Sequence, residues 1–238
     1  MTATRDTRQL VVTIDGPGGV GKSTVAKLLA RELDLMYLDT GATYRALAYA
    51  VLERQLSPVS QPKPIAALAR KLPLHLEPTP GGSLRVILNG RDISKDIRTE
   101  RITEAAAQVS QHPEVRRAMV KLQRALANRH GVVVEGRDTG SVVFPSTSHK
   151  FFLDADPRMR ARRRQQELKK LYGTEPPLAE IKEQLQLRDE LDRTRREGPL
   201  VKPRGAVVID TSRRSALDVV RLMRRSIERT RSSSRPLP

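Results

Sequence analysis

A glycine-rich loop near the beginning of the chain constrains the fold more than any other feature. Residues 16–23 read GPGGVGKS and match the pattern G-x-x-x-x-G-K-[S/T] at every fixed position. The apolar run LVVTID at 10–15 precedes the loop and is typical of a buried strand, whereas residues 23–33 have the apolar spacing of a helix. A strand that leads through such a loop into a helix is a phosphate-binding unit. The segment therefore predicts a site for the phosphates of a nucleoside triphosphate.

Each residue type in this loop has a physical reason. Glycines let backbone N–H groups point at phosphate oxygens, and the N-terminus of the following helix adds partial positive charge. The ammonium of Lys22 can lie between the β- and γ-phosphates, and the hydroxyl of Ser23 can ligate Mg²⁺. A glycine turn with no ligand is the alternative, and the agreement of motif and context disfavours it. We predict that the triphosphate is bound by Gly16, Pro17, Gly18, Gly19, Val20, Gly21, Lys22, Ser23 and Thr24.

Apolar runs and helical periodicity alternate along most of the chain. Strands that alternate with helices form a parallel sheet with helices on both faces. The predicted fold class is therefore α/β, with a doubly wound sheet of five parallel strands. The predicted strands are 10–15, 35–38, 132–136, 150–154 and 206–210.

The middle of the chain departs from this pattern. A helix is expected at 43–56, and the proline-rich segment SPVSQPKP at 57–64 indicates a break. Apolar residues then alternate at 72–76 and 84–88, with turn residues between them. Helices resume near residue 103. This region is predicted to be a small α+β insert with antiparallel strands.

Charge is the most unusual part of the composition. The 238 residues include 44 lysines and arginines against 27 aspartates and glutamates, a formal net charge of +17. This balance indicates either a nucleic-acid-binding surface or a site for several phosphates. The basic residues of 158–170 suit a segment that closes over phosphates, whereas the arginines of 213–235 are expected to form a solvated helix face and a tail. No aromatic stacking platform accompanies them, which disfavours nucleic acid.

The composition also excludes several classes of site. The chain contains no cysteine, which excludes disulfides, thiolate metal sites and cysteine catalysis. The N-terminal residues have no apolar signal core, and no apolar run approaches the ~20 residues of a membrane span. We expect a soluble cytoplasmic protein with no membrane partner.

Two polar segments follow predicted strands. LDTGATYRA offers Asp39, Thr40 and Arg45, and EGRDTGSVVFP offers Arg137 and Asp138. Both lie beyond the carboxyl end of a strand, where parallel sheets bind ligands. Arginine there can hold a phosphate through two hydrogen bonds. The alternatives are a helix N-cap by Thr40 or Thr43 with a solvated arginine in the first segment, and a surface ion pair in the second.

A third segment, RDELDRTR, lies in a helical stretch. Arg188, Asp192 and Arg195 are spaced by four and three residues, so they share one helix face. Taken alone, a salt-bridged solvated face is the favoured interpretation.

Together these segments resemble bacterial-type cytidylate kinases, which are P-loop nucleoside monophosphate kinases. The resemblance extends from residue 14 to residue 212, and YLDTGATYR and EGRDTGSVVFP are far more specific to the family than the P-loop. The matching stretches are IDGPGGVGKST, YLDTGATYRA, NGRDIS, PEVRRAM, EGRDTGSVVFP, ARRRQQEL, RDELDRTR and VVIDTS.

The resemblance also implies a division of the chain. The P-loop core is expected at 10–42 and 130–228, with a helical lid at about 157–175. A monophosphate-binding insert is expected at 43–129, with its antiparallel strands at about 72–93. The basic tail at 229–238 lies outside the matching stretches and is expected to be disordered.

Roles follow from the resemblance at matching positions. Lys22, Arg137 and Arg195 are the expected catalytic residues, and Arg162 on the lid is expected to contact ATP. Asp39 is a further expected contact to Mg²⁺, through water. Acceptor-binding roles fall on Thr40, on Arg45 and Arg137 at the phosphate, on Arg188 and Asp192 at the ribose, and on Arg116 and Asp138 at the cytosine.

Two positions depart from the family pattern. Ala107 stands where the family usually has a serine that contacts the base, so one hydrogen bond to the base is expected to be missing. Ser110 lies about one helical turn away and is a candidate substitute. Leu191 stands where an arginine is common.

The expected reaction is phosphoryl transfer from ATP with Mg²⁺ to CMP or dCMP, by a monomer. The acceptor is an ionised phosphate, so no general base is expected. The alternatives are a kinase for another small acceptor and a P-loop ATPase or regulator that binds RNA through its basic surface.

Overall fold

The computed structural model describes residues 10–79, 83–127 and 131–233. Its strands are β1 (Val11–Asp15), β2 (Met36–Asp39), β3 (Leu74–Pro78), β4 (Leu84–Leu88), β5 (Arg91–Asp92), β6 (Val132–Gly136), β7 (His149–Asp154) and β8 (Val207–Asp210). Its α-helices are α1 (Lys22–Leu33), α2 (Thr40–Glu53), α3 (Pro62–Arg70), α4 (Glu100–Val109), α5 (Pro113–Ala127), α6 (Pro157–Tyr172), α7 (Leu178–Thr194) and α8 (Ala216–Ser233).

Five parallel strands form the central sheet in the order β2-β6-β1-β7-β8. The prediction of a doubly wound parallel sheet is confirmed. Every residue of β6 is buried, as is expected for a strand covered on both faces. The chain continues from β1 to β2 on one side of the sheet and later to β7 on the other, so the strand order reverses at β1. The crevice at the carboxyl end of β1 is therefore the expected ligand position of such a sheet.

The inserted region has its own antiparallel sheet, in the order β3-β4-β5. Helices α2, α3, α4 and α5 enclose an apolar cluster with part of this sheet. Leu47, Ile65, Val109 and Met119 are fully buried in it. The insert therefore has a core separate from the one that α1 and α8 form with β1 and β7.

Two local predictions in the insert need correction. Helix α2 begins at Thr40, because Asp39 caps it by accepting a hydrogen bond from the backbone N–H of Ala42 at 2.9 Å. The proline-rich segment expected as a break contains the start of α3, where Pro62 lies in the first turn. Proline is tolerated there because the first N–H groups of a helix have no partner within the helix.

The ends of two predicted segments also differ. The lid expected at about 157–175 corresponds to α6, and α7 packs against it as a second helix. Helix α8 continues through Ser233, so residues 229–233 are helical and the expectation of disorder is wrong for them. Residues 234–238 lie outside the described residues. No helix of the described residues is long and apolar enough to cross a membrane.

Candidate active site

The P-loop connects α1 to the carboxyl end of β1, which is the central strand of the sheet. Gly16 has φ of 147°, and a Cβ atom there would lie 2.2 Å from the carbonyl oxygen of Leu153 in β7, so the loop cannot accept a side chain at this position. The buried Lys22 donates from Nζ to the carbonyl oxygen of Pro17 at 2.6 Å. Ser23 and Thr24 are exposed at the start of α1. The loop thus presents a hydroxyl and a buried ammonium at one helix N-terminus.

Lys22 is held in an environment that disfavours its charge. Burial, followed by the nearby Arg137, lowers the pKa of Lys22 to about 7, although Glu135 acts in the opposite direction. An added anion within reach would favour the ammonium form. Binding of a phosphate would therefore stabilise the charged form of Lys22.

Helices α6 and α7 both contact the P-loop directly. Arg160 of α6 donates from Nε to the carbonyl oxygen of Gly18 at 2.6 Å and pairs with Asp189 of α7. Asp189 in turn accepts from the backbone N–H of Gly18 at 3.3 Å. This buried ion pair fixes α6 and α7 over the loop.

A second arginine of α6 reaches the P-loop from the other side. Arg163 donates to the hydroxyl of Thr211 at 3.0 Å, and that hydroxyl donates to the carbonyl oxygen of Val20 at 2.9 Å. Arg162, for which an ATP contact is predicted, is exposed and makes no hydrogen bond to the described part of the loop. Its role stays a prediction.

Asp15, at the end of β1, fastens the loop that follows β6. It accepts from the backbone N–H and the hydroxyl of Thr139 and from the backbone N–H of Gly140, each at 2.7 Å. Burial raises the pKa of Asp15 to about 6 against these three hydrogen bonds, which lower it. The Asp15 carboxylate therefore connects the strand that leads into the P-loop with the segment that carries Arg137 and Asp138.

Four of the predicted acceptor residues and the predicted catalytic Arg195 meet in one network of ion pairs. Arg137 pairs through Nε with Asp192 at 2.8 Å, and Asp192 pairs with Arg195 at 3.2 Å. Arg195 lies 3.5 Å from Asp138, which also pairs with Arg116. The structure therefore brings together five residues that are spread over three segments of the sequence.

Gly198 packs against this network, and the sequence interpretation did not single it out. Its φ is 59°, and a Cβ atom there would lie 2.2 Å from a carboxylate oxygen of Asp138. Its carbonyl oxygen accepts from Nε of Arg195. Only glycine fits this turn without displacing the network.

The first acceptor segment lies on the neighbouring strand. Arg45 pairs with Asp39 at 2.8 Å, while the other carboxylate oxygen of Asp39 caps α2. Burial alone would raise the pKa of Asp39, but Arg45 and the N–H of Ala42 outweigh it and lower this pKa. Thr40 is buried and donates to the carbonyl oxygen of Glu135 at 2.8 Å, so its proton is used within the protein.

Several donors in this region have no hydrogen-bond partner in the described structure. They are the buried Nε of Arg45, the buried hydroxyl of Tyr44 and the buried Nη2 of Arg195, which makes only the 3.5 Å ion pair with Asp138. Arg188 makes no ion pair with a described residue, and burial together with Arg137 lowers its pKa to about 10. Buried groups of this kind are costly unless a ligand satisfies them. The arrangement fits an anion with further hydrogen-bonding groups.

Glu135 is a further candidate that the sequence interpretation missed. It is buried at the carboxyl end of β6 and accepts a hydrogen bond from Tyr37. Burial, followed by Asp39, raises its pKa, while Lys22 and the hydroxyl of Ser23 lower it. The available signal was its place one residue before the end of the strand next to β1.

The structure also locates the two positions near the expected base site. Ala107 is half-buried on α4. Ser110 donates its hydroxyl proton to the carbonyl oxygen of Ala107 at 2.7 Å. Ser110 therefore has no free proton to replace the missing serine hydroxyl.

Comparison with known proteins identifies the family of the chain. The family model described as cytidylate kinase matches residues 12–229. A cytidylate kinase from Caldanaerobacter subterraneus subsp. tengcongensis is 45% identical over 88% of this chain and 90% of its own length. A cytidylate kinase from Geobacillus kaustophilus is 43% identical over 90% of this chain and 94% of its own length, and one from Symbiobacterium thermophilum is 39% identical over 95% and 100%. The chain belongs to the cytidylate kinase family.

Proposed function

We propose that the protein transfers the γ-phosphoryl group of ATP to CMP and dCMP, giving ADP and the corresponding diphosphate. One observation carries the proposal beyond family membership. The buried Nε of Arg45 has no hydrogen-bond partner in the described structure, and the buried Nη2 of Arg195 makes only a 3.5 Å ion pair with Asp138. Both donors lie in the region where Arg137 and Asp138 follow β6 beside the P-loop. A second phosphate opposite the loop satisfies these donors.

The donor phosphates are held by the backbone N–H groups of the P-loop, by Lys22 and by the N-terminus of α1. The ammonium of Lys22 leaves the carbonyl of Pro17 for the phosphate oxygens. Arg160 and Arg163, which bond to the P-loop, keep the lid helices in contact with the donor side. A closed lid excludes water, which would otherwise accept the phosphoryl group.

The oxygen donors near the loop fit Mg²⁺, which prefers oxygen ligands and retains several waters. Ser23 would ligate the ion directly, and Glu135 would hold a bound water. Glu135 suits this role better than Asp39, because Glu135 already interacts with Lys22 and the hydroxyl of Ser23, whereas Asp39 pairs with Arg45 and caps α2. The ion would neutralise charge on the donor phosphates.

The acceptor is held by residues that already form a network. Arg45 and Arg137 bind its phosphate, and Arg195 lies closer to the transferred group. Arg188 and Asp192 bind the ribose hydroxyls, and Arg116 and Asp138 bind the cytosine. These ion pairs preorganise the side chains, because each guanidinium is already oriented before the ligand arrives.

Transfer needs position and charge more than proton chemistry. The acceptor phosphate is an ionised nucleophile, so the protein has to align it with the γ-phosphorus and stabilise the charge on the transferred oxygens. Lys22, Arg137 and Arg195 provide that charge. No proton has to be removed from the nucleophile.

Neither alternative function is favoured. If the acceptor were another small molecule, the ion pair of Arg116 and Asp138 would have no base to bind. An RNA-dependent ATPase leaves the arginine network unexplained. We further propose that the enzyme acts as a monomer in the cytoplasm.

A coupled assay of ADP release over a panel of nucleoside monophosphates tests the proposal. ADP release should require CMP or dCMP and should be much slower with AMP, GMP or no acceptor. Arg195→Ala should reduce turnover at least about 100-fold, whereas Arg193→Ala, an exposed arginine of α7, should leave it nearly unchanged. Release that is independent of the monophosphate would refute the proposal.

A further inference from the structure

The edge strand β8 has an exposed apolar surface. It pairs with β7 on one side and with no described strand on the other. Val207 and Val208 are 43% and 52% exposed, whereas Tyr37 and Leu38 on β2, the opposite edge strand, are buried. Unpaired N–H and C=O groups beside apolar side chains are a template for an added strand.

A groove of about 410 Å³ lies between β8 and α8. One face of α8 forms its wall, with Leu222, Arg225, Ser226 and Arg229 spaced by three or four residues. The adjoining face of α8 packs into the core through Val219, Val220, Met223 and Ile227. The groove face therefore makes no contribution to that core. We call this feature the β8–α8 groove.

The groove is strongly basic. Arg214, Arg225 and Arg229 line it, and among the described residues that line it Asp210 is the only acidic one. Arg225 makes no ion pair with a described residue, and Arg214 donates to the backbone carbonyl of Asp210 at 2.7 Å. An occupant with negative charge is therefore favoured.

We propose that the β8–α8 groove docks an extended acidic segment of a partner protein, which adds to the sheet as a sixth strand. Its backbone pairs with the free edge of β8, as in other strand-addition complexes. Apolar residues of the segment cover Val207 and Val208, and acidic residues pair with Arg214 and Arg225.

Two other occupants fit less well. A second copy would bring its own valines, but it would also bring the same arginines and a net charge of +17. A nucleic acid would leave the valines uncovered, and the groove has no aromatic side chain on which a base could stack. An acidic polypeptide covers the exposed valines of β8 and also pairs with the arginines of the groove.

The test measures binding of fluorescent peptides to the full chain by anisotropy. The probe alternates valine and glutamate, a second peptide carries proline at the central valine, and a third replaces glutamate with lysine. Only the first should bind, because proline removes a strand hydrogen bond and lysine repels the arginines. Binding of the proline peptide with equal affinity would overturn strand addition.

Variants locate the binding surface. Arg225→Glu should weaken binding at least about fivefold, while Arg221→Glu, with the same charge change on an exposed residue paired with Asp218, should change it less than twofold. Val207→Thr with Val208→Thr should weaken it about fivefold, since it removes apolar contact but keeps β-branched residues. CMP-dependent turnover should stay normal in all three, which shows that they fold.

Other outcomes would overturn the proposal. Equal effects of Arg225→Glu and Arg221→Glu would indicate only general attraction to a basic protein. Tight binding of a single-stranded oligonucleotide that displaces the valine–glutamate peptide would assign the surface to nucleic acid. A concentration-dependent dimer that Arg225→Glu strengthens would assign it to a second copy.

Discussion

Replacing Asp15 with asparagine should change how stability depends on pH. Burial raises the pKa of the folded carboxyl to about 6 from an ordinary value of 3.8, so the folded state binds this proton more tightly than the unfolded state. The side chain therefore favours folding most at low pH, and this contribution is lost as the pH rises through about 6. The whole shift corresponds to about 3 kcal/mol, of which about 2 kcal/mol falls between pH 4.5 and 7.

The assay is urea unfolding of the full chain and of Asp15→Asn at pH 4.5 and 7, without nucleotide. The free energy of unfolding of the wild type minus that of the variant should be about 2 kcal/mol smaller at pH 7 than at pH 4.5. Asparagine itself also costs about 1–3 kcal/mol at both pH values, because its amide meets the N–H of Gly140 instead of accepting from it. Asp34→Asn, at the exposed end of α1, is the control. A difference that is constant with pH, or larger at pH 7, would refute the reasoning.

Four further predictions concern the site. Lys22→Ala should lower kcat by about 10²–10³ with unchanged circular dichroism; near-normal turnover would remove Lys22 from the donor site. Arg45→Ala should reduce the reaction with CMP far more than background ATP hydrolysis, and equal losses would point to misfolding or to a donor contact. Glu135→Gln should raise the Mg²⁺ concentration for half-maximal rate by about tenfold, and an unchanged Mg²⁺ dependence would contradict the metal role. Ala107→Ser should raise the CMP-to-UMP ratio of kcat/KM by a factor of about 2 to 12, equivalent to about 0.5–1.5 kcal/mol for one hydrogen bond, since Ser110 already donates its proton to Ala107; an unchanged or lower ratio would show that this position does not limit base selection.

The sequence alone predicts those features whose residues follow one another along the chain. The P-loop could be located because its glycines, lysine and serine follow one another, and the five parallel strands were visible as short apolar runs. The family assignment is confirmed by the match over residues 12–229. The detailed roles of the site residues stay predictions.

The sequence did not suffice where a contact joins distant segments. Asp15 and Thr139 are 124 residues apart, and Arg160 and Asp189 are 29 apart, so no local pattern indicates either pair. In the run RARRR at 160–164, periodicity alone does not say which arginine faces the P-loop. Arg162 follows Arg160 by about 200° around the helix and therefore lies on another face.

The expectation that prolines interrupt a helix was wrong at the start of α3. Three prolines at 58–64 suggested a break, yet Pro62 and Pro64 occupy the beginning of α3, where a missing N–H carries no cost. The N-cap of α2 is Asp39, whereas the alternative weighed from the sequence placed it at Thr40 or Thr43. Asp39 was interpreted as a ligand-face residue, but its carboxylate also accepts from the N–H of Ala42.

The most direct test of the central claim follows the phosphoryl group itself. ATP radiolabelled at the γ-phosphate is incubated with the protein, Mg²⁺ and CMP, and the products are separated by chromatography. The account predicts that the label appears in the β-phosphate of CDP, in an amount equal to the ADP formed, and that it does so only when CMP is present. Label that accumulates as inorganic phosphate, at a rate that CMP does not change, would contradict the account.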